Sequence, residues 1–236
     1  MTRRRSTAAT AAATVVALAA AVIVVALVRG GSVAGHGSQG PAPAVVAAPV
    51  VIESKPQPTV VAAAAPTAFT ITGKAFTVKA HVCGMDGEFP LDPPGDQFHT
   101  VCWVRNNFGH LPSSVSTGTT YVLGHSWAAA PLVLNPLANF AMDHGSATPT
   151  DENGAATYPV PALNGYRIVL TTSQGTLTYT VRRAFTVAKG ELPRVRTLWK
   201  NSIKNRVALI TCAVHNGVDI DRNVVVYAYL TKVQPA

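Results

Sequence analysis

Short runs in which apolar and polar positions alternate recur from about Ala68 onward. Phe69-Thr70-Ile71-Thr72 and Ala75-Phe76-Thr77-Val78 alternate and are rich in β-branched and aromatic residues. The same two-residue period predicts strands over Val101–Val104, Thr119–Leu123, Arg167–Thr172, Thr176–Val187, Arg206–Cys212 and Asn223–Thr231. Clusters of Gly and Pro separate the runs. Within this region only Leu132–Met142, with Pro136 near its start, reads as a short helix. No internal repeat is visible. Many short strands with long irregular connections predict an all-β domain, a closed barrel or a sandwich.

The N-terminal region has a different pattern. Ala8–Val28 carries no charge and is mostly Ala, Val, Leu and Ile. As a helix it spans ~31 Å, enough for a bilayer core. Arg3, Arg4 and Arg5 precede it and few charges follow, which orients the N-terminus to the cytoplasm and the remainder outward. The rival is a cleaved signal peptide with Ser32-Val33-Ala34 at the cleavage site, but the apolar stretch is long for a signal core of about 7–15 residues. The expectation is therefore residues 1–7 in the cytoplasm, a transmembrane helix over 8–28, an Ala/Pro-rich extracellular tether over 29–67 and a folded domain over 68–236. Localisation follows: a single-pass protein of the cell membrane with its domain outside. Between Gly30 and Pro66 the acidic and basic side chains are only Glu53 and Lys55, and no core periodicity appears.

Net charge changes this picture little. The formal charge is +8, but from Ala68 onward it is only +4, from 14 Lys and Arg against 10 Asp and Glu. An exported domain with that balance gives no reason to expect a nucleic-acid partner. Arg182, Arg183, Lys189, Arg194, Arg196, Lys200, Lys204 and Arg206 form a basic segment that suits anionic wall polymer or headgroups, or simply a solvated loop.

There are three cysteines, Cys83, Cys102 and Cys212. In an exported domain a disulfide is permitted, and Cys83–Cys102 would close a loop worth roughly 3 kcal/mol in the chain-entropy model. His81, Cys83, His99 and Cys102 are also four residues of the kind zinc accepts, but His-x-Cys on one strand fits no common spacing. Three readings stay open for the pair: a disulfide, a zinc site, or free thiols. Asp143, Asp151 and Glu152 are too few and too generic for a calcium site, and no metal or other cofactor is expected. With a disulfide, Cys212 is the odd cysteine; it is either a reactive thiol or a small buried hydrophobe.

The strand Thr120-Tyr121-Val122-Leu123-Gly124-His125 ends in a histidine, and Ala208-Leu209-Ile210-Thr211-Cys212 ends in a cysteine. Arg222 follows ten residues later, at the head of Asn223-Val224-Val225-Val226. Thiol, imidazole and guanidinium are what cysteine acyl transfer needs: a nucleophile, a proton shuttle and a cation for the oxyanion. Alternation places Arg222 on the face of Val224, Val226, Ala228 and Leu230, and Cys212 on the face of Ala208 and Ile210. If the two strands are neighbours, Cys212 and Arg222 share one mouth of the barrel. Untuned, a thiol near pKa ~8.5 and an imidazole near ~6.5 carry both active forms in under ~1% of molecules at pH 7, so a slow enzyme is expected unless the site is tuned. His215, in a predicted turn, is the rival to His125.

These segments resemble the sortases, specifically a class E/F-like or related actinobacterial sortase. Leu209, Thr211 and Cys212 match the family's Thr-Leu-x-Thr-Cys signature, with Ala208 in place of its first Thr. Asp221-Arg222-Asn223-Val224 is similar to the family's arginine at the start of its last strand. Leu123-Gly124-His125 is similar to its Gly-His strand, and Val101-Cys102-Trp103-Val104 to its Gly-Trp-Tyr region, with Cys102 in place of Gly. The resemblance covers about Phe76 to Leu230 and implies an eight-stranded closed β-barrel with short helices. It also implies a cysteine transpeptidase in which Cys212 forms a thioester with a C-terminal sorting motif, His125 protonates the leaving amine and Arg222 supports the oxyanion. Thr211 would contact substrate, and Lys189–Asn205 would be the specificity loop. The implied partners are secreted proteins bearing the motif and an acceptor amine of the cell wall or a pilin. An L,D-transpeptidase would carry a Ser-His-Gly-Cys-type signature, absent here, and papain-like hydrolases place Cys before His. The non-enzymatic alternative is a membrane-tethered β-domain that binds wall components and keeps Cys212 buried and inert.

Overall fold

The computed structural model describes residues 60–106, 108–152 and 154–236. The strands are β1 (Pro66–Thr72), β2 (Thr77–Asp86), β3 (Thr100–Arg105), β4 (Thr119–Leu123), β5 (Thr150–Asp151), β6 (Ala156–Pro159), β7 (Arg167–Thr172), β8 (Gly175–Ala188), β9 (Arg206–His215) and β10 (Val218–Pro235). The helices are α1 (Asn135–Asp143) and the single turn α2 (Arg196–Trp199). The expected anchor over 8–28, and the expected tether as far as residue 59, lie outside the described residues. Among the described residues no helix is long and apolar enough to cross a membrane.

The sheet runs β10-β9-β4-β3-β2-β1-β7-β8, and β8 returns to pair antiparallel with β10. Eight strands therefore close on one another, which selects the barrel over the sandwich and removes the exposed edges of the ring. β6 continues along the edge of β8 that β7 leaves, with Thr157 opposite Val187, and β5 pairs with β6. β2 pairs with β3, and β4 with β9, in parallel. The connections that reach a parallel neighbour must be long, and these loops build the site.

Alternation divides the apolar side chains into two layers. One cluster draws on all eight ring strands and so fills the barrel: Ile71, Val78, Val101, Val122, Ile168, Leu177, Leu209 and Val224 among others. Leu137 and Ala141 of α1 join it, and so does the fully buried Val61. Val61 is tied to Ser114 by a hydrogen bond from its backbone N–H at 3.0 Å, so packed chain begins upstream of Ala68. The second cluster is the outward row of β4, β8, β9 and β10: Tyr121, Leu123, Phe185, Ala208, Ile210, Val225 and Tyr227. It is sealed by Val195 and Leu198 from the β8–β9 connection.

Arg206 anchors that connection and is 1% exposed. Its guanidinium donates to the carbonyls of Thr197 (2.8 Å), Leu198 (3.1 Å) and Lys200 (3.0 Å), and Nε donates to Thr119 Oγ1 (3.0 Å). These carbonyls are the last of α2, where no further turn of helix can satisfy them. The cation therefore sits at the negative end of the helix. Cys83 and Cys102, register partners on β2 and β3, form a disulfide.

Candidate active site

β4 and β9 run parallel with Leu123 opposite Ile210. Two residues further along the same outward rows come His125 and Cys212, so the register itself brings them side by side. Gly124 N–H donates to Ile210 O at 3.2 Å, which carries the pairing past the end of β4. Gly124 is required there: a Cβ would stand 2.7 Å from Leu134 Cδ1 and 2.9 Å from Val101 Cγ1. The His125 carbonyl accepts from Leu134 N at 3.1 Å, fixing the backbone before α1.

His125 and Cys212 jointly line two hollows. One, about 240 Å³, is bounded by Leu91, Asp92, Pro93, Leu123, Ile210, Thr211 and Asn223. The other, about 320 Å³, is bounded by Gln97, Ser126, Trp127, Leu132, Lys189 and Asp219. Thiol and imidazole thus stand on the ridge between two openings, an arrangement suited to receiving one reactant from each side. A hollow of about 550 Å³ near β2 and α1 has neither thiol nor imidazole in its lining.

The His125 side chain is 20% exposed. Nε2 lies 2.9 Å from the Pro93 carbonyl and 3.3 Å from Asp92 Oδ1. A carbonyl only accepts, so Nε2 carries the proton in this hydrogen bond. The Cys212 thiol is held above its ordinary pKa, chiefly by burial; Lys189 opposes this, while Asp219 and Asp92 add to it. At rest the thiol is therefore protonated at neutral pH.

Thr211 lies on the opposite row from Cys212. Its hydroxyl is 2.9 Å from Ser126 Oγ, which also donates to the Cys212 carbonyl. Thr211 is 3% exposed, and together with Ser126 it clamps the end of β9 to the segment after β4. Arg222 is placed differently. β10 carries two extra residues between the pairs Ile220–Ala213 and Asn223–Cys212. Arg222 faces Ala188 of β8, and its guanidinium stacks 3.8 Å from the centre of the Tyr158 ring. It lines neither hollow at Cys212. The residue paired with Cys212 is Asn223. His215 is not in a turn: β9 runs through it, and Nε2 bonds Asp143 Oδ1 at 2.9 Å, away from Cys212.

Sequence reasoning did not single out Asp92 and Pro93 against His125, nor Lys189, Asp219, Ser126 and Asn223 around Cys212. For Asn223 the signal was present, one position beyond the arginine, but the bulge that turns it toward Cys212 has no mark in the sequence. Asp92 and Lys189 come from long connections whose path sequence does not give.

The Sortase domain family model matches residues 75–231. Among solved structures, the chain resembles sortase A of Listeria monocytogenes at 17% identity and TM-score 0.46, covering 73% of this chain and 91% of that one. It resembles a lid mutant of sortase A of Corynebacterium diphtheriae at 18% and 0.45, covering 72% and 73%. It resembles sortase C-1 of Actinomyces oris at 14% and 0.42, covering 70% and 71%. No curated protein matches the chain. With two thirds of its length matched by the family model, the chain belongs to the sortase family, the cysteine transpeptidases.

Proposed function

We propose that the protein is a membrane-anchored sortase that cleaves a C-terminal sorting motif of secreted proteins and transfers the acyl part to an amine of the cell wall or of a pilin. The observation that carries this reading is the pairing of Cys212 with His125 on the ridge between two hollows. The Cys212 thiol gives its proton to the His125 imidazole as the sulfur adds to the scissile carbonyl. As the C–N bond breaks, the proton on His125 Nε2 goes to the departing amine, leaving a thioester on Cys212. The acceptor amine then attacks the thioester carbon and gives its proton to the imidazole, and the thiolate leaves and takes that proton back from the imidazolium. Arg222 supplies positive charge for the oxyanion, which requires its guanidinium to leave the Tyr158 ring when peptide enters. His125 must likewise exchange Pro93 for substrate, so the loop carrying Asp92 and Pro93 moves during turnover. Thr211, through Ser126, keeps the cysteine backbone in place and lines the donor hollow.

The anchor over 8–28 is part of the proposal and rests on its uncharged length. Extraction of membranes at alkaline pH, which strips peripheral proteins, would leave the chain in the pellet. The catalytic reading is tested by mass spectrometry of the folded chain under non-reducing conditions with a methanethiosulfonate reagent. One adduct on Cys212 is the expected result. A Cys212 that reacts only after unfolding would replace this reading with the wall-binding β-domain.

A further inference from the structure

We propose that the Asn223 side chain binds the carbonyl oxygen of the acyl donor and stabilises the oxyanion formed when Cys212 attacks. This rests on the transpeptidase reading above and names a substrate-contacting residue in that same site.

Asn223 and Cys212 are register partners on β10 and β9. Directly paired residues of an antiparallel ladder project to the same face with Cβ atoms about 4.5–5.5 Å apart. The row they share continues through Val225–Ile210 and Tyr227–Ala208, whose side chains belong to the outward cluster. Asn223 is thus the polar end of an apolar row, and it lines the same hollow as His125 and Cys212.

Its hydrogen bonding leaves one donor to spare. Asn223 Nδ2 donates to the Thr211 carbonyl at 3.2 Å. That bond fixes which way the amide points, since the opposite orientation would set Oδ1 against a second oxygen. A primary amide has two N–H groups. The second has no protein acceptor among the hydrogen bonds of the described residues, and it belongs to a side chain in the wall of the hollow. A carbonyl carbon bonded to Cys212 Sγ holds its oxygen within reach of a neighbour at cross-strand distance. A donor fixed there before the reaction strengthens its hydrogen bond as the oxygen gains charge, which is the condition for lowering the barrier. The guanidinium of Arg222 lies over Tyr158 in the same structure, so Asn223 is the donor already in position beside the sulfur.

The test separates oxyanion formation from thiol reactivity. The full chain is treated with para-nitrophenyl acetate, which acylates a thiol through a tetrahedral oxyanion, and separately with iodoacetamide, which alkylates it by displacement with no oxyanion. Asn223→Leu removes the amide while keeping the branched shape and number of heavy atoms, and Asn223→Gln retains it one methylene further out. The expected result for Asn223→Leu is acylation slowed on the order of a hundredfold with alkylation within about twofold of the parent, and partial recovery of acylation in Asn223→Gln. Thermal unfolding of each variant shows whether it is folded. Acylation and alkylation falling together would assign Asn223 to the thiol and overturn the proposal, as would acylation that does not fall. A parent chain in which Cys212 takes neither reagent until unfolded removes the nucleophile itself, and the proposal with it.

Discussion

Arg206→Met tests whether the cover over the outward cluster is held by one buried cation. Methionine matches the length of the stem and removes every N–H. The Thr197 and Lys200 carbonyls then lose their Arg206 donor, while the Leu198 carbonyl keeps the Tyr121 hydroxyl at 2.7 Å. Each of these part-buried acceptors costs up to about 1–3 kcal/mol when orphaned. Loss of the cation from the end of α2 adds ~0.3–1 kcal/mol, and loss of its stacking 4.7 Å over the Tyr227 ring adds a further ~0.5–2 kcal/mol. Against this stands relief of the desolvation of a buried guanidinium that has no carboxylate partner among the described residues, itself several kcal/mol. The two part-buried carbonyls, together with the lost charge and stacking, outweigh it. The net loss is about 2–4 kcal/mol, or a fall in Tm of roughly 4–16 °C for a domain of this size. Thermal unfolding by circular dichroism measures it, and hydrogen exchange locates it as lost protection over 195–200. A Tm that rises, or falls by less than about 2 °C, would mean that desolvation dominates and Arg206 is not the anchor.

Alkylation of Cys212 by iodoacetamide should rise with pH to a midpoint above that of a free thiol, because burial disfavours the thiolate. The sign of each neighbour follows: Asp92→Ala removes an anion that holds the thiol up and should speed alkylation at pH 7, whereas Lys189→Met should slow it, both read from pH–rate profiles. The folded state keeps its proton where the unfolded thiol has already ionised, so this group lowers stability as pH climbs through the ordinary thiol range. Replacing Cys83 and Cys102 with alanine opens a link of sequence separation 19 and should lower stability by about 3 kcal/mol in urea unfolding; an unchanged midpoint would refute the estimate. Asn223→Asp puts a carboxylate at cross-strand distance from the sulfur; at a partly exposed site this should raise the thiol's titration by about one pH unit, seen as ~10-fold slower alkylation at pH 7 that recovers in alkali.

Most of the barrel was legible because its strands alternate clearly. The runs predicted over Thr119–Leu123 and Arg167–Thr172 are β4 and β7 to the residue. The face analysis held for the aliphatics, with Val224, Val226 and Ala228 turned into the barrel and Ala208 and Ile210 out, whereas Arg222, expected at one mouth with Cys212, lies over Tyr158 and lines neither hollow there. The prediction stopped β9 at Cys212 and began β10 at Asn223. In fact the hairpin turns on Asn216 and Gly217, both at positive φ (49° and 73°), and the strands run right up to it. Asn-Gly is a strong signal for this kind of turn, and it sets the turn just after His215 rather than around it. β5 and β6 are two and four residues long, too short to show a period. The pairing of β8 with β10 that closes the barrel leaves no mark in the alternation, because β9 and the long β8–β9 connection separate the two strands in sequence.

The bulge in β10 decides the chemistry next to the thiol. From Val218 opposite His215 to Ile220 opposite Ala213, the hairpin keeps one register. Continued unbroken, it would set Cys212 opposite Asp221, placing a carboxylate beside the sulfur that the proposed reaction needs as an anion. A like charge at that distance disfavours the thiolate. The two extra residues move Asp221 and Arg222 past that position, so the neutral, hydrogen-bond-donating Asn223 stands next to Cys212 instead. Bulges re-aim side chains at sites in this way. Here one irregularity removes an anion, installs a donor and hands the guanidinium to Tyr158. The strand thus holds two hydrogen-bond donors at successive positions, Asn223 paired with Cys212 and Arg222 over Tyr158. Asn223 is in place at rest, while in the proposed reaction Arg222 would leave its aromatic ring as the peptide enters.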